Sequence, residues 1–406
     1  MQKLKDMSPR GLRSRVRWRT IAVVVLMGAA PGLALPPLAW AAAPPLGTAV
    51  TFSAQEPTSS VLTMVDATIG WAFNGHDFLR TTDHGRIWAV VTPPGLLVHE
   101  NQQSGKVNVV WDFVSATSAW IAEGPQQPSG TVHLWSTGDG GRRWIEHTHT
   151  FSALAKSPSA TLTGIDFLNG YQGWIEWGLD LWKTDNGGQS WHREGIAKTA
   201  MPTLPTVMFR NATTGWAIIN EPGLAGTGFV LKRSTTSGNT WHSVSLIQQA
   251  GLEPMGLLPT FVGSQGLLAA YRSRTNGLVV LRTNDQGQHW TAASSTVPNA
   301  LSSSDTWGMQ TLGSTTAWAI AEGRLWRYTN GARTWTYRSA DRFLAHASGM
   351  DFINAQMGWV WKTNKNGITH IWMTTSGGVH WTTWTPAVTS SPLTHFLQSH
   401  NYPMIF

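Results

Sequence analysis

Residues 183–191 read KTDNGGQSW, and six related segments share the pattern: RTTDHGRIW at 80–88, STGDGGRRW at 136–144, RSTTSGNTW at 233–241, RTNDQGQHW at 282–290, RYTNGARTW at 327–335 and MTTSGGVHW at 373–381. Each ends on a tryptophan, and successive tryptophans lie 45 to 56 residues apart. A second element keeps the same period. A small residue precedes a tryptophan and apolar residues follow, at Trp71, Trp120, Trp174, Trp216, Trp318 and Trp359, with Leu267 in this place in the fifth unit. Asp66, Ser115, Asn169, Asn211 and Asn354 stand five residues ahead of it. Short polar side chains there favour a turn.

Alternating apolar residues punctuated by Gly, Asn and Asp read as strands, four to a unit. Four-strand units at a period in the forties stack radially into a closed ring. The expected fold is therefore all-β, a seven-bladed β-propeller of four-stranded antiparallel blades over residues 61–386. Residues 42–60 form a linker or closing strand, and 387–406 a tail. The segment 47–54 or the tail is expected to help close the ring, because an unpaired edge is a liability.

The recurring segment suits two structures, a calcium loop or a tight turn. The full pattern Thr-x-Asp-x-Gly-x-x-Trp occurs at Thr81/Asp83/Gly85/Trp88, Thr137/Asp139/Gly141/Trp144 and Thr283/Asp285/Gly287/Trp290. The third copy has Thr184, Asn186, Gly188 and Trp191. The fourth has Ser234, Thr236, Gly238 and Trp241. The sixth keeps Asn330 and Trp335, and the seventh Thr374, Ser376, Gly378 and Trp381. Asn, Ser and Thr cap turns but are poor calcium ligands, and no further acids accompany them. The turn reading follows. The side-chain oxygen accepts backbone N–H groups, Gly supplies a positive φ, and Trp packs back under the turn.

These repeats resemble Asp boxes, also called bacterial neuraminidase repeats. Their style is most similar to the photosystem II assembly/stability factor family, and more distantly to sortilin-type propellers, sialidases and xyloglucan-active hydrolases. The resemblance covers about residues 61–386. It implies the propeller fold, with turns lying away from any active site, and it is shared by enzymes and binding proteins alike.

The N-terminus carries seven basic residues before position 20, then the apolar run IAVVVLMGAAPGLALPPLAWAAAPP and the small-x-small step Ala39-Trp40-Ala41. That order reads as a secretory signal over residues 1–41, so a secreted or cell-envelope location is expected, without a stable membrane span after cleavage. Beyond it remain 22 basic and 21 acidic residues, so the charge gives no reason to expect a nucleic-acid partner. There is no cysteine, and the fold must rest on apolar and aromatic burial.

Catalytic equipment is not visible. There is no F/Y-R-I-P arginine motif near the start, and no metal-ligand spacing, nucleophile elbow or nucleotide loop. Tyr271, Arg272 and Arg274 are the one suggestive cluster. Glu123, Glu176 and Glu322 follow the second strand and are related by the repeat, which favours a structural or solvated role. His147 and His149 share a strand face. Trp177, Trp307, Trp361 and Trp384 fall outside the main repeated slots and are the candidates for stacking on a ligand. No catalytic, metal or cofactor-binding residue is assigned. The expected function is a non-enzymatic binding or assembly scaffold for protein or peptide, using inter-blade loops that carry Lys106, Lys156 and Lys198. The alternative is a glycoside hydrolase acting on carbohydrate, marked by carboxylates and arginines converging at the central channel.

If the recurring segment is a turn and not a calcium loop, excess chelator leaves the thermal midpoint unchanged. Differential scanning fluorimetry with and without EGTA checks this.

Overall fold

The computed structural model describes residues 48–49, 62–96, 107–125, 129–152, 162–178, 180–194, 206–220, 229–244, 252–254, 257–272, 277–297, 308–329, 334–364 and 368–389. Among these the chain is all-β: seven four-stranded antiparallel blades form a ring, without an α-helix. Blade three shows the plan. Leu162–Phe167 pairs with Gly173–Trp177, then Asp180–Thr184, then His192–Glu194. The first strands of neighbouring blades meet around the axis, and the fourth strands form the outer edges. In blade five the inner strand is broken, and both Leu252–Pro254 and Thr260–Val262 pair with Gln265–Arg272. Pro259 lies in the gap and has no N–H for a ladder.

Both segments expected at the closure take part. Ala387–Thr389 runs parallel to the outer strand of blade one, Ile87–Val90, and Thr48–Ala49 pairs antiparallel outside it. Each blade is still built from contiguous sequence. The ring is therefore tied by strands added to the edge of blade one, not by a blade shared between the two ends.

The core is divided. Buried side chains fall into seven clusters, one at each contact between adjacent blades. At five of these contacts the second-strand tryptophan lies against a phenylalanine of the next blade's inner strand: Trp71 with Phe113, Trp120 with Phe167, Trp174 with Phe209, Trp216 with Phe261 and Trp318 with Phe352. The ring centroids are 3.7 Å apart at Trp174–Phe209 and the planes differ by 3°. Strand register places Leu267 in the tryptophan slot of blade five and Thr311 in the phenylalanine slot of blade six, so both partners change at the same interface.

Trp174→Ala is expected to cost about 3–5 kcal/mol, as for a buried aromatic deletion. Tyr171→Ala, at an exposed turn position three residues away, is expected to stay within about 0.5 kcal/mol. Urea unfolding of both variants measures the contrast.

Candidate functional site

The recurring turns are built from side-chain oxygens and left-handed backbone. In blade one Thr81 Oγ1 accepts the N–H of Gly85, and Asp83 Oδ1 accepts those of Arg86 and Ile87. Trp88 Nε1 donates to Gly85 O. Equivalent bonds run from Gly141 N to Thr137, Gly188 N to Thr184, Gly238 N to Ser234, Gly287 N to Thr283 and Gly378 N to Thr374. Asp139, Asn186, Thr236, Asp285 and Ser376 each accept the N–H four residues on. Trp191 and Trp290 follow Trp88, whereas Trp144 donates across the blade boundary to Val91 O. Trp241 and Trp381 pack against Phe209 and Phe352. Trp335 lies beside Tyr328, and Asn330 lies outside the described residues.

One feature of the turn was not read from sequence. The residue before the glycine is also left-handed: His84, Ser237 and Gln286 have φ of 68°, 61° and 59°. Its N–H donates to the neighbouring turn between the first two strands, as from His84 to Thr68 O and from Ser237 to Thr213 O. That neighbouring turn is held by the polar residues five before the tryptophan. Asn169 Oδ1, for example, accepts Tyr171 N and Gln172 N. The two kinds of turn therefore lie on one face.

A belt of inner-strand residues, polar at every blade but the fourth, runs between the blades, and its carboxylates are buried. The residue opposite each second-strand tryptophan is Thr63, Asp112, Asp166, Met208, Gln310 or Asp351, with Thr260 opposite Leu267. Four of these side chains reach the next blade and accept the N–H of its following slot: Asp112 from Phe167 (2.8 Å), Asp166 from Phe209 (2.7 Å), Gln310 from Phe352 (2.7 Å) and Asp351 from Met64 (2.6 Å). Thr260 Oγ1 lies 3.0 Å from Thr311 Oγ1 and 2.8 Å from Gly313 O. A second tier adds Asn108 to Leu162 O and Val207 N to Glu176 Oε1.

On the third strand a cation covers the tryptophan. Arg80, Lys183, Arg233 and Arg327 sit 5.5–5.9 Å from the rings of Trp71, Trp174, Trp216 and Trp318. Arg80 and Arg327 then donate to Ala116 O and Ala355 O of the next blade. Burial lowers the pKa of both guanidiniums, and a neighbouring arginine adds to it, Arg142 for Arg80 and Arg338 for Arg327.

The other sequence candidates are dispersed. Glu123 and Glu176 lie within the second strand and are buried, a correction to their placement after it; Glu322 lies after it beside Arg324. Trp177 and Trp361 are 0% and 5% exposed, which places them in the core. Trp384 donates to Gly85 O and lies under Arg86. Tyr271 and Arg272 end a second strand, while Arg274 and Trp307 lie outside the described residues. His147 and His149 share a face, and burial lowers the pKa of His149. The inter-blade loops fall largely outside the described residues, Lys106, Lys156 and Lys198 among them. Among the described residues the exposed large apolar side chains are Ile145, Tyr171, Val262, Tyr337 and Val379. Ile145, Tyr171, Val262 and Val379 lie in, or directly beside, the turns of the tryptophan-turn face, and Tyr337 lies in the outer strand of blade six opposite Trp326.

No family model and no curated protein matches the chain. Similar solved structures exist at low identity. YCF48 bound to D1 peptide is 16% identical over 68% of this chain and 80% of that one, with a TM-score of 0.43. YCF48 from Cyanidioschyzon merolae is 14% identical over 69% and 88%, with a TM-score of 0.45. An ancestral GH74 enzyme is 12% identical over 83% of this chain and 49% of its own length, with a TM-score of 0.45. Figures of this size carry nothing about activity. No helix of the described residues is long and apolar enough to cross a membrane.

Asp351 gives the belt a titration. Burial pushes its carboxyl up to about 6, although the Met64 N–H and the Gln310 amide pull the other way. A raised folded pKa means the proton is held more tightly in the folded chain. The resulting stabilisation is complete below about pH 4 and is lost as pH rises through about 6. Asp351→Asn is expected to be less stable throughout, with one acceptor oxygen for two donors, yet to show a flatter stability profile between pH 4 and 7. Urea unfolding across that range checks it.

Proposed function

We propose that this chain is an exported, non-enzymatic propeller of the Asp-box type that serves as a binding or assembly scaffold for a protein or peptide. The observation that carries this reading is the use made of the buried carboxylates between blades. A glycosidase needs two carboxyl groups facing each other across a bond, one to donate a proton and one to attack or to activate water. Here Asp112, Asp166, Glu176 and Asp351 each accept a backbone N–H of the adjacent blade. A carboxylate spent on an edge-strand donor is fixed in direction. Arg80, Lys183, Arg233 and Arg327 are likewise turned onto tryptophan faces.

Export rests on the basic and then apolar N-terminus. The proposed docking surface is the set of loops between blades, since variable segments on a rigid ring can change without cost to the core. The exposed apolar residues of the opposite face define the competing surface. Exchanging each inter-blade loop for a Gly/Ser linker, beside Tyr171→Ser and Val262→Ser variants, separates the two when partner capture in the native envelope is measured.

The enzymatic alternative is tested directly. Incubation with sialyllactose and with xyloglucan oligosaccharides is expected to release no product above the protein-free control. Hydrolysis that disappears in Asp166→Asn or Glu176→Gln would falsify the scaffold reading.

A further inference from the structure

The outer strand of blade two, Ile145–Ser152, is eight residues long, whereas among the described residues those of blades three to seven have two to four. Blade one's outer strand is covered by Ala387–Thr389. The blade-two strand pairs with Ser129–Thr137 on its inner side, and among the described residues it ends its sheet. It carries no lysine, no proline and no register shift. Those are the devices that ordinarily keep an edge from pairing.

The repeat fixes which backbone groups point outward. The residue three beyond the turn tryptophan donates its N–H back to the third strand in blades one, four and five: Val91 to Phe78 O, Val244 to Leu231 O and Ala293 to Val280 O, each at 2.8 Å. The counterpart in blade two is His147, which pairs with Leu134. Alternation along an antiparallel strand then turns the N–H and C=O of His147 and His149 inward, and those of Glu146, Thr148 and Thr150 outward. The side chains of these last three are exposed.

We propose that this edge is a dimer interface, in which two copies pair residues 145–152 antiparallel about a two-fold axis at Thr148. The strand is complementary to itself in that register. Thr148 faces Thr148 of the partner subunit, and Glu146 faces Thr150 of the partner subunit, so no carboxylate meets another. Three hydrogen-bonded pairs exchange about six backbone bonds, and the threonine pair is a favourable cross-strand contact. Moving the axis to Glu146 sets two carboxylates opposite each other, and moving it to Thr150 leaves Glu146 without a partner. Among the described residues each protomer has one such edge, so association closes at two.

The absence of native cysteine makes the register readable, because one introduced thiol is the sole thiol. In a directly opposed pair the Cα atoms lie about 5.5 Å apart, within disulfide reach. Thr148→Cys is therefore expected to form a disulfide-linked dimer on mild oxidation. Glu146→Cys alone and Thr150→Cys alone are not, since each thiol lies four residues from its mate, on the order of 14 Å. An equimolar mixture of those two variants is expected to cross-link. Thr148→Pro removes an outward N–H and sets a ring against the partner strand, so sedimentation velocity is expected to move from dimer to monomer while the far-UV circular dichroism spectrum of the fold is kept. A wild-type chain that sediments as a monomer overturns the interface. So do three cysteine variants that cross-link equally, or not at all.

Discussion

The ring depends on how the innermost strand of each blade satisfies its free edge. A four-stranded blade leaves one row of backbone donors facing the channel side, and a buried N–H without a partner is costly. Here the donor is taken by a side chain of the preceding blade: Asp112, Asp166, Gln310 and Asp351 each accept one such N–H. The bond runs between blades, so it fixes their rotation about the axis as well as their separation. Of these four bonds, that of Asp351 joins the last blade to the first. Burial raises the pKa of its carboxyl there.

Outside this belt the blades are held by aromatic surface. In register across three strands lie an inner polar residue, a tryptophan and a cation, as in Asp166, Trp174 and Lys183. The tryptophan lies against a phenylalanine of the next blade, and the cation covers it from the other strand. One row thus joins hydrogen bonding, aromatic packing and cation–π attraction, each pointed at a neighbour. Between blades five and six the row is Thr260, Leu267 and Arg282, and hydroxyls meet where rings stack elsewhere.

The same economy bears on function. Among the described residues Asp112, Asp166, Glu176 and Asp351 accept backbone N–H groups of the adjacent blade, and Arg80, Lys183, Arg233 and Arg327 lie over tryptophan rings, which is what the proposed scaffold reading rests on. Two kinds of surface enter that proposal. One is the set of inter-blade connections, and the other is the tryptophan-turn face with its exposed Tyr171, Val262 and Val379. The outer edges add a third, where blade one shows that this sheet accepts further strands.

Much of the architecture was legible in the sequence. Tryptophans at a regular period, glycines at fixed offsets and polar residues five before the second tryptophan specify local structure, because turns and strand alternation depend on near neighbours. Thr81, Asp83 and Gly85 describe a turn wherever they are placed. The belt was not legible. Asp112 and Phe167 are 55 residues apart, Met64 and Asp351 are 287 apart, and only ring geometry brings them within 2.8 Å. The left-handed backbone at His84, Ser237 and Gln286 was hidden for a related reason, since the contact to a neighbouring turn offsets a strain that composition does not advertise. Sequence determined the blade and its repetition. Tertiary structure decided what the inner-strand carboxylates do, because a carboxylate's role is set by the donor it meets, and for Asp112, Asp166 and Asp351 each donor lies on another blade.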